Sequence, residues 1–316
     1  MTLHDATAGD APRRGAGIPA FVNAAAGTAT AALEALRSAG DVFDVREVDP
    51  RALGDELRRV VAGGAERVVV AGGDGTVGTA AAAVAGSDTA LAVLPGGTLN
   101  HFARDHDIPT DAAEAARLAA VGAVVGVDVG YVNGELFLNT SSVGAYVLFV
   151  RTRERLERWL GYRAASFVAG LRILTNLRPY RVTLDVEGTT RVYRTPIVFI
   201  GVGERELRVP LVGARVGGGR RGLHVLVVRS RTAGRLFALA LAAAARGVDD
   251  VARSPLLDSF VVDRCRIDLP RPRGRVALDG ELVEMRAPLE YEVRRGALRV
   301  VTATAGPGES GVGNRE

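Results

Sequence analysis

From Ala20 to about Asp128 the apolar positions come in short β-branched runs separated by Ala- and Leu-rich stretches of helical spacing. Phe21-Val22 leads into a turn at Gly27, and a helix is predicted from about Thr28 to Ala39, stopped by Gly40. A strand at Phe43–Val48 and a helix at Ala52–Val61 follow. The runs Arg67–Ala71 (RVVVA) and Ala90–Leu94 (ALAVL) are continuously apolar, and each ends in a glycine-rich turn. Helices on both faces of a parallel sheet bury its strands completely, which is why such strands do not alternate. The prediction for 18–128 is an α/β domain with a doubly wound, largely parallel sheet.

Past Asp128 the period falls to two. Val127–Val132 and Glu135–Asn139 flank Asn133-Gly134, a pair that suits the positive φ angles of a type I′ hairpin. Alternating runs recur at Arg181–Val186, Arg191–Ile200, Leu223–Val228, Phe260–Leu269, Arg275–Leu278 and Leu289–Val300. Residues 129–303 therefore read as a mostly antiparallel, β-rich second domain, with its last strand a candidate to return to the first. Two helices interrupt it. One carries Leu156, Trp159, Leu160, Phe167, Leu171, Leu174 and Leu177 at helical spacing among six arginines, at 153, 155, 158, 163, 172 and 178. Such a helix can lie on an anionic membrane, although a helix packed on a sheet with a solvated basic face is the commoner use of the pattern. The other, Leu236–Ala245, is about half the length of a bilayer span. Residues 1–17 and 304–316 are expected to be disordered.

Composition narrows the function classes. At 316 residues with 47% hydrophobic content, the chain is long enough for two cored domains. The first residues lack the apolar stretch of a secretory signal, so a cytoplasmic location is expected. Cys265 is the single cysteine, which excludes an intrachain disulfide and reads as a buried small hydrophobe. All 40 basic residues are arginine, so a Walker-type lysine is excluded and phosphate must be held by backbone N–H groups, arginine or metal. The formal charge of +4 suits an anionic partner, a nucleotide or an acidic membrane surface. With aromatic residues at 5% and no basic stripe interleaved with them, nucleic acid is not expected.

The chemistry concentrates in two turns. Gly72-Gly73-Asp74-Gly75-Thr76 follows a buried strand and precedes a helix expected near Val77. Glycines let the backbone approach a polyphosphate, and the helix start offers N–H groups to the anion. A carboxylate there implies a divalent cation or a proton acceptor, although Asp74 or Thr76 would equally serve as a helix N-cap. The second turn, Pro95-Gly96-Gly97-Thr98-Leu99-Asn100, again follows a buried strand. Both turns leave the carboxyl ends of parallel strands, where ligands of open sheets bind. Farther on, Asp279-Gly280 between two β runs is a hairpin signal in its own right. His101 and His106 are five residues apart and do not make a helical metal pair.

These residues carry a resemblance. GGDGT at Gly72–Thr76 is shared with NAD kinases and phosphofructokinases, whereas LPGGTLNHFARDHDIP at Leu94–Pro109 resembles the second motif of the diacylglycerol kinase catalytic-domain family, particularly its soluble bacterial lipid kinases. Similarity continues through VDVGYVNGELFLNTSSVG at Val127–Gly144 and ends in Asp279-Gly280-Glu281. The resemblance implies a lipid kinase that takes ATP and Mg²⁺ and acts on a lipid at the membrane surface. It implies ATP and metal binding by Gly72, Gly73, Asp74, Gly75 and Thr76, with Gly97, Thr98 and Asn100 holding the nucleotide. Glu281 becomes the proton acceptor, and Asp279, with Asp74, a metal ligand. A kinase of a soluble substrate and a nucleotide-binding protein without turnover remain as alternatives, and a homodimer is left open. Departures from the pattern are Asn23–Ala29 in place of a turn with Asn-Pro and a basic residue, Gly78-Thr79 in place of Asn-Glu, and Arg221-Gly222-Leu223 where an acid commonly holds a structural metal. That structural metal is expected to be absent.

Overall fold

The computed structural model describes residues 17–176, 179–186, 188–208, 211–216, 218–229 and 257–303. The expectations for the two termini and for the Leu236–Ala245 helix lie outside the described residues.

The first domain runs β1 (Ile18–Asn23), α1 (Ala29–Ser38), β2 (Phe43–Val48), α2 (Leu53–Ala62), β3 (Arg67–Gly72), α3 (Asp74–Val84), β4 (Ala90–Pro95), α4 (His101–Asp105) and α5 (Ala112–Val121). Its strands lie in the order β2-β1-β3-β4, all parallel. The apolar runs alternate between two cores. Ala20, Val22, Val69, Ala71, Ala92 and Leu94 pack with Leu36 of α1 and Ala115 of α5, while Phe21, Val68, Val70, Leu91 and Val93 pack with Leu57 of α2 and Val77 of α3. Removing a Val, Leu or Phe side chain from water stabilises the fold by about 1.5–3 kcal/mol, so this double-sided burial holds β3 and β4 rigid beneath the turns they feed. Arg67 at the start of β3 donates to the carbonyls of Ala119, Ala120 and Gly122 and closes the end of α5.

The chain then enters β5 (Ala123–Val132), β6 (Glu135–Phe137) and β7 (Thr140–Gly144). Asn133 and Gly134 take φ of 50° and 90°, the type I′ geometry expected of that pair. Helix α6 (Ala145–Asn176) follows, broken at Gly161, where φ is 71° and ψ 166°. Next come β8 (Tyr180–Val186), β9 (Thr189–Thr195), β10 (Ile197–Val202), β11 (Arg205–Arg208), β12 (Leu211–Arg215), β13 (Leu223–Val228), β14 (Leu257–Val262), β15 (Arg264–Asp268), β16 (Arg273–Leu278), β17 (Glu281–Arg286) and β18 (Leu289–Thr302).

Two predicted single strands are each two. Arg191–Ile200 divides at Pro196, which has no N–H for the ladder, and the chain crosses there from β9 in one sheet to β10 in the other. Phe260–Leu269 divides at Asp263 in the same way, β14 and β15 belonging to different sheets. The six-stranded antiparallel sheet β14-β13-β10-β7-β16-β17 faces β15, β8 and the first half of β18. Val198, Ile200, Val225 and Val276 interdigitate with Leu184, Ile267, Leu289 and Tyr291 between them. Cys265 is buried in this core, and burial pushes its thiol up to about 12.

Strand β18 ties the domains together. Its start pairs with β15, its end lies parallel to β4 at Arg299 and Val300, and β5 runs antiparallel along both halves. The register slips between Arg294 and Leu298, at a bulge where Gly296 has φ of 61°. Asp128, 2% exposed, accepts the Gly296 N–H at 2.8 Å and is gripped by the Arg221 guanidinium. Burial alone would raise the Asp128 carboxyl, but the Arg221 hydrogen bonds, the Gly296 N–H and the Arg215 charge hold it below its ordinary value. Among the described residues no helix is long and apolar enough to cross a membrane.

Candidate active site

Strands β1, β3 and β4 end side by side, and the three turns that follow are bonded into one rim. Gly96 N–H donates to Gly72 C=O at 2.8 Å. Asn23 Nδ2 donates to Thr76 Oγ1 at 3.0 Å, and Thr28 Oγ1 donates to Gly96 C=O at 3.1 Å. The Asn23–Ala29 turn therefore braces the other two although it lacks the Asn-Pro pair. Neither Asn23 nor Thr28 was assigned a site role from sequence, because each partner lies more than fifty positions away.

Glycine is required where these turns touch. A Cβ on Gly97 would lie 2.9 Å from the Gly73 Cα, and one on Gly96 would lie 3.2 Å from the Gly72 Cα. A Cβ on Gly72 would collide with the Thr76 side chain at 2.6 Å. Asn100 takes the left-handed conformation with φ of 47°, and its amide clasps the second turn: Gly97 N–H donates to Oδ1 at 2.8 Å and Nδ2 donates to Gly97 C=O at 2.9 Å. Asn100 thus shapes the loop through Gly97, while Thr98 stands exposed beside it.

Helix α3 begins at Asp74, three residues before the predicted start, because Gly73 is extended and acts as the N-cap without a side chain to offer. Asp74, Gly75 and Thr76 consequently form the first helical turn, whose N–H groups have no intrahelical acceptor. The positive end of the helix dipole opens here, as an anion site requires. Asp74 Oδ1 is buried without a hydrogen-bond partner. A carboxylate oxygen in that state calls for a cation or a donor from outside the chain.

The acidic corner is delivered by the β16–β17 hairpin. Asp279 and Gly280 have φ of 46° and 92°, and the turn places Glu281 at the start of β17. Were Gly75 to carry a Cβ, it would lie 2.8 Å from Glu281 Oε1, so the glutamate of the second domain rests against the phosphate-type loop of the first. Asp279 behaves differently from the expectation that it is a metal ligand. Its Oδ2 accepts from Leu138 N–H at 2.7 Å, and its Oδ1 from Asn139 N–H at 2.8 Å and Thr140 N–H at 2.9 Å. Burial pushes this carboxyl up, while those three donors and the Arg205 charge favour the anion. With both oxygens engaged by backbone, Asp279 anchors the hairpin to the β6–β7 link and so positions Glu281. Among the described residues no group of three or more His, Cys, Asp or Glu side chains is arranged to hold a metal ion.

A second clasp joins the domains behind the rim. Asp105 at the end of α4 pairs with Arg205 Nη1 at 2.7 Å, both side chains nearly inaccessible, and accepts the Arg215 N–H at 3.4 Å. Arg205 N–H donates to His224 Nδ1 at 3.0 Å, which leaves His224 Nε2 to donate to Ser259 Oγ at 2.8 Å. Burial lowers the pKa of His224, as that tautomer requires.

A glycine-loop α/β domain with an orphan carboxylate, faced by a glutamate from a β-sandwich, defines a two-domain kinase. Comparison with known proteins agrees. Residues 19–132 match the Diacylglycerol kinase catalytic domain. A "Probable lipid kinase YegS-like" protein of Pseudomonas fluorescens (strain Pf0-1) is 31% identical over 262 residues, covering 78% of this chain and 80% of the relative. The "Diacylglycerol kinase" of Mycobacterium tuberculosis (strain ATCC 25618 / H37Rv) is 33% identical over 158 residues, 48% of either chain. The chain thus spans about half the length of some of the curated relatives it matches. A crystal structure of a diacylglycerol kinase from Bacillus anthracis str. Sterne superposes with a TM-score of 0.64 at 19% identity, covering 92% of this chain and 98% of the other, and shares the fold. This chain belongs to the diacylglycerol kinase catalytic-domain family.

Proposed function

We propose that this kinase transfers the γ-phosphoryl group of ATP directly to the hydroxyl of a lipid, with diacylglycerol as the acceptor and phosphatidic acid as the product. The observation that carries the reading is the contact of Glu281 with Gly75, which sets a proton acceptor against the loop that bears Asp74. The Gly73–Gly97 contact leaves bare backbone where polyphosphate would lie, and the first turn of α3 supplies N–H donors to it. Those donors take the place of the missing lysine.

Mg²⁺ fits at Asp74, whose buried Oδ1 lacks a partner, better than at Asp279, whose two oxygens already accept three backbone N–H groups. A site with one carboxylate is ordinary for Mg²⁺, which takes its remaining ligands from phosphate and water. When bound, the ion would neutralise charge on the transferred group. Glu281 takes the proton of the acceptor hydroxyl as that oxygen bonds to the γ-phosphorus, and the bond from phosphorus to the ADP oxygen breaks. Such a chain works in the cytoplasm and meets its acceptor at a membrane surface.

The test is mass spectrometry of a total lipid extract after incubation with the protein and Mg-ATP. The expected result is phosphatidic acid formed at the expense of diacylglycerol, lost in Asp74→Asn with the circular dichroism spectrum retained. An extract with no phosphorylated lipid, beside phosphorylation of NAD offered in parallel, would replace this reading by a kinase of a soluble substrate.

A further inference from the structure

The break in α6 leaves an arrangement that the phosphoryl-transfer site does not use. Gly161 ends the first segment of the helix, so Trp159 and Leu160 stand at a corner, 84% and 49% exposed. Arg151, Arg155 and Arg158 are exposed as well. Positions 151, 155, 158 and 159 fall within an arc of about 100° at 3.6 residues per turn. Buried residues bound that arc on both sides, Thr152 about 20° beyond Trp159 and Val150 about 80° beyond Arg158 around the helix. Helix α6 lies against β7, β16 and β17, and so against the hairpin that carries Glu281.

A tryptophan held in water at the end of an arginine face has poor company as a solvated surface. Both side chain types are amphipathic and both favour the boundary between water and lipid. The charge on this face selects the sign of the partner, since of the two acids beside the three arginines, Glu154 and Glu157, the second is already paired with Arg153. We propose that the Gly161 corner of α6 docks on an anionic lipid bilayer. Trp159 and Leu160 enter the headgroup region, and Arg151, Arg155 and Arg158 meet acidic headgroups. The proposal deepens the lipid-kinase reading and rests on it for the substrate so reached.

Trp159 is the single tryptophan of the chain, so its fluorescence reports the corner alone. The full chain is mixed with vesicles of phosphatidylcholine containing about one third phosphatidylglycerol, and with vesicles of phosphatidylcholine only. Expected with the anionic vesicles alone are co-sedimentation, a blue shift of emission and quenching by brominated acyl chains. Replacing all three arginines by glutamine should weaken vesicle binding about a hundredfold. Trp159→Ser should weaken it too, while turnover on a short-chain diacylglycerol dissolved as monomers stays unchanged. Failure to sediment, sedimentation with unmoved tryptophan emission, or binding indifferent to these substitutions overturns the docking surface. Turnover on the dissolved diacylglycerol without vesicle binding removes the docking surface and keeps the kinase. Vesicle binding through the corner with no lipid phosphorylated does the reverse.

Discussion

The carboxylate of Glu281 occupies the space beside Gly75 that any other residue's Cβ would enter, at 2.8 Å. The atom in the way is the far end of a side chain, so it can swing aside at little cost to folding. Alanine is also the better helix former by up to about 1 kcal/mol in the first segment of α3. Gly75→Ala is therefore expected to leave the melting temperature unchanged or raised while it displaces the proton acceptor. A misplacement of about 1 Å costs on the order of a hundredfold in rate. Thermal melts and kcat on dispersed diacylglycerol check both halves, and full activity in this variant would detach Glu281 from the chemistry.

Gly97→Ala should behave in the opposite manner. Its Cβ meets the Gly73 Cα at 2.9 Å and the Asn100 Oδ1 at 3.0 Å, and backbone cannot swing aside. The two turns must separate, at a cost of about 1–3 kcal/mol. Nucleotide affinity should fall together with the urea midpoint, measured by calorimetric titration with ATP and by equilibrium unfolding.

Asp279 and Glu281 are two residues apart and should fail differently. Asp279→Asn can keep the positive φ, but its amide nitrogen faces at least one of three backbone N–H groups. An unmatched buried donor costs about 1–3 kcal/mol, so a lower urea midpoint is expected along with lower turnover. Glu281 is exposed, and Glu281→Gln should hold stability within about 0.5 kcal/mol while turnover drops by a factor of roughly 100 or more. Equal stability losses in the two variants would contradict the positioning role given to Asp279.

What the sequence discloses about this site follows from how local the causes are. The runs RVVVA and ALAVL announce β3 and β4 because complete burial demands uninterrupted apolar residues, and the glycine turns after them need no distant information. The sheet exchanges at Pro196 and Asp263 leave only a one-residue slip in the alternation, the buried positions moving from Tyr193 and Thr195 to Val198 and Ile200 and from Val262 to Cys265 and Ile267, so each pair of strands reads as one run. The role of Asp279 was hidden for another reason: Asp-Gly in a turn and an acid in a metal site look alike until the three donors at Leu138, Asn139 and Thr140 are seen. Asp105 and Arg205 are 100 positions apart, and no local pattern marks either as a clasp.

That clasp gives the chain an acid-sensitive seam. His106 follows Asp105, packs tilted against Phe102 with ring centroids 4.6 Å apart, and faces the charges of Arg215, Asp105, Arg205 and Asp107. Burial, and then the two arginines, push its pKa down to about 4 against the opposing pull of Asp105 and Asp107. A histidine whose folded value is depressed stabilises the fold fully above its unfolded value of about 6.5, and that contribution disappears as pH falls toward 4. The full span of the shift corresponds to about 3 kcal/mol. His106→Phe retains a ring against Phe102 and has no proton to bind. Between pH 7 and pH 4.5 the wild type should lose about 2–3 kcal/mol more stability than this variant. Urea unfolding of both at the two pH values decides the matter, because the carboxylates that titrate over the same range are common to the pair. A constant difference between the two proteins across that range would mean that His106 is not held neutral at the seam.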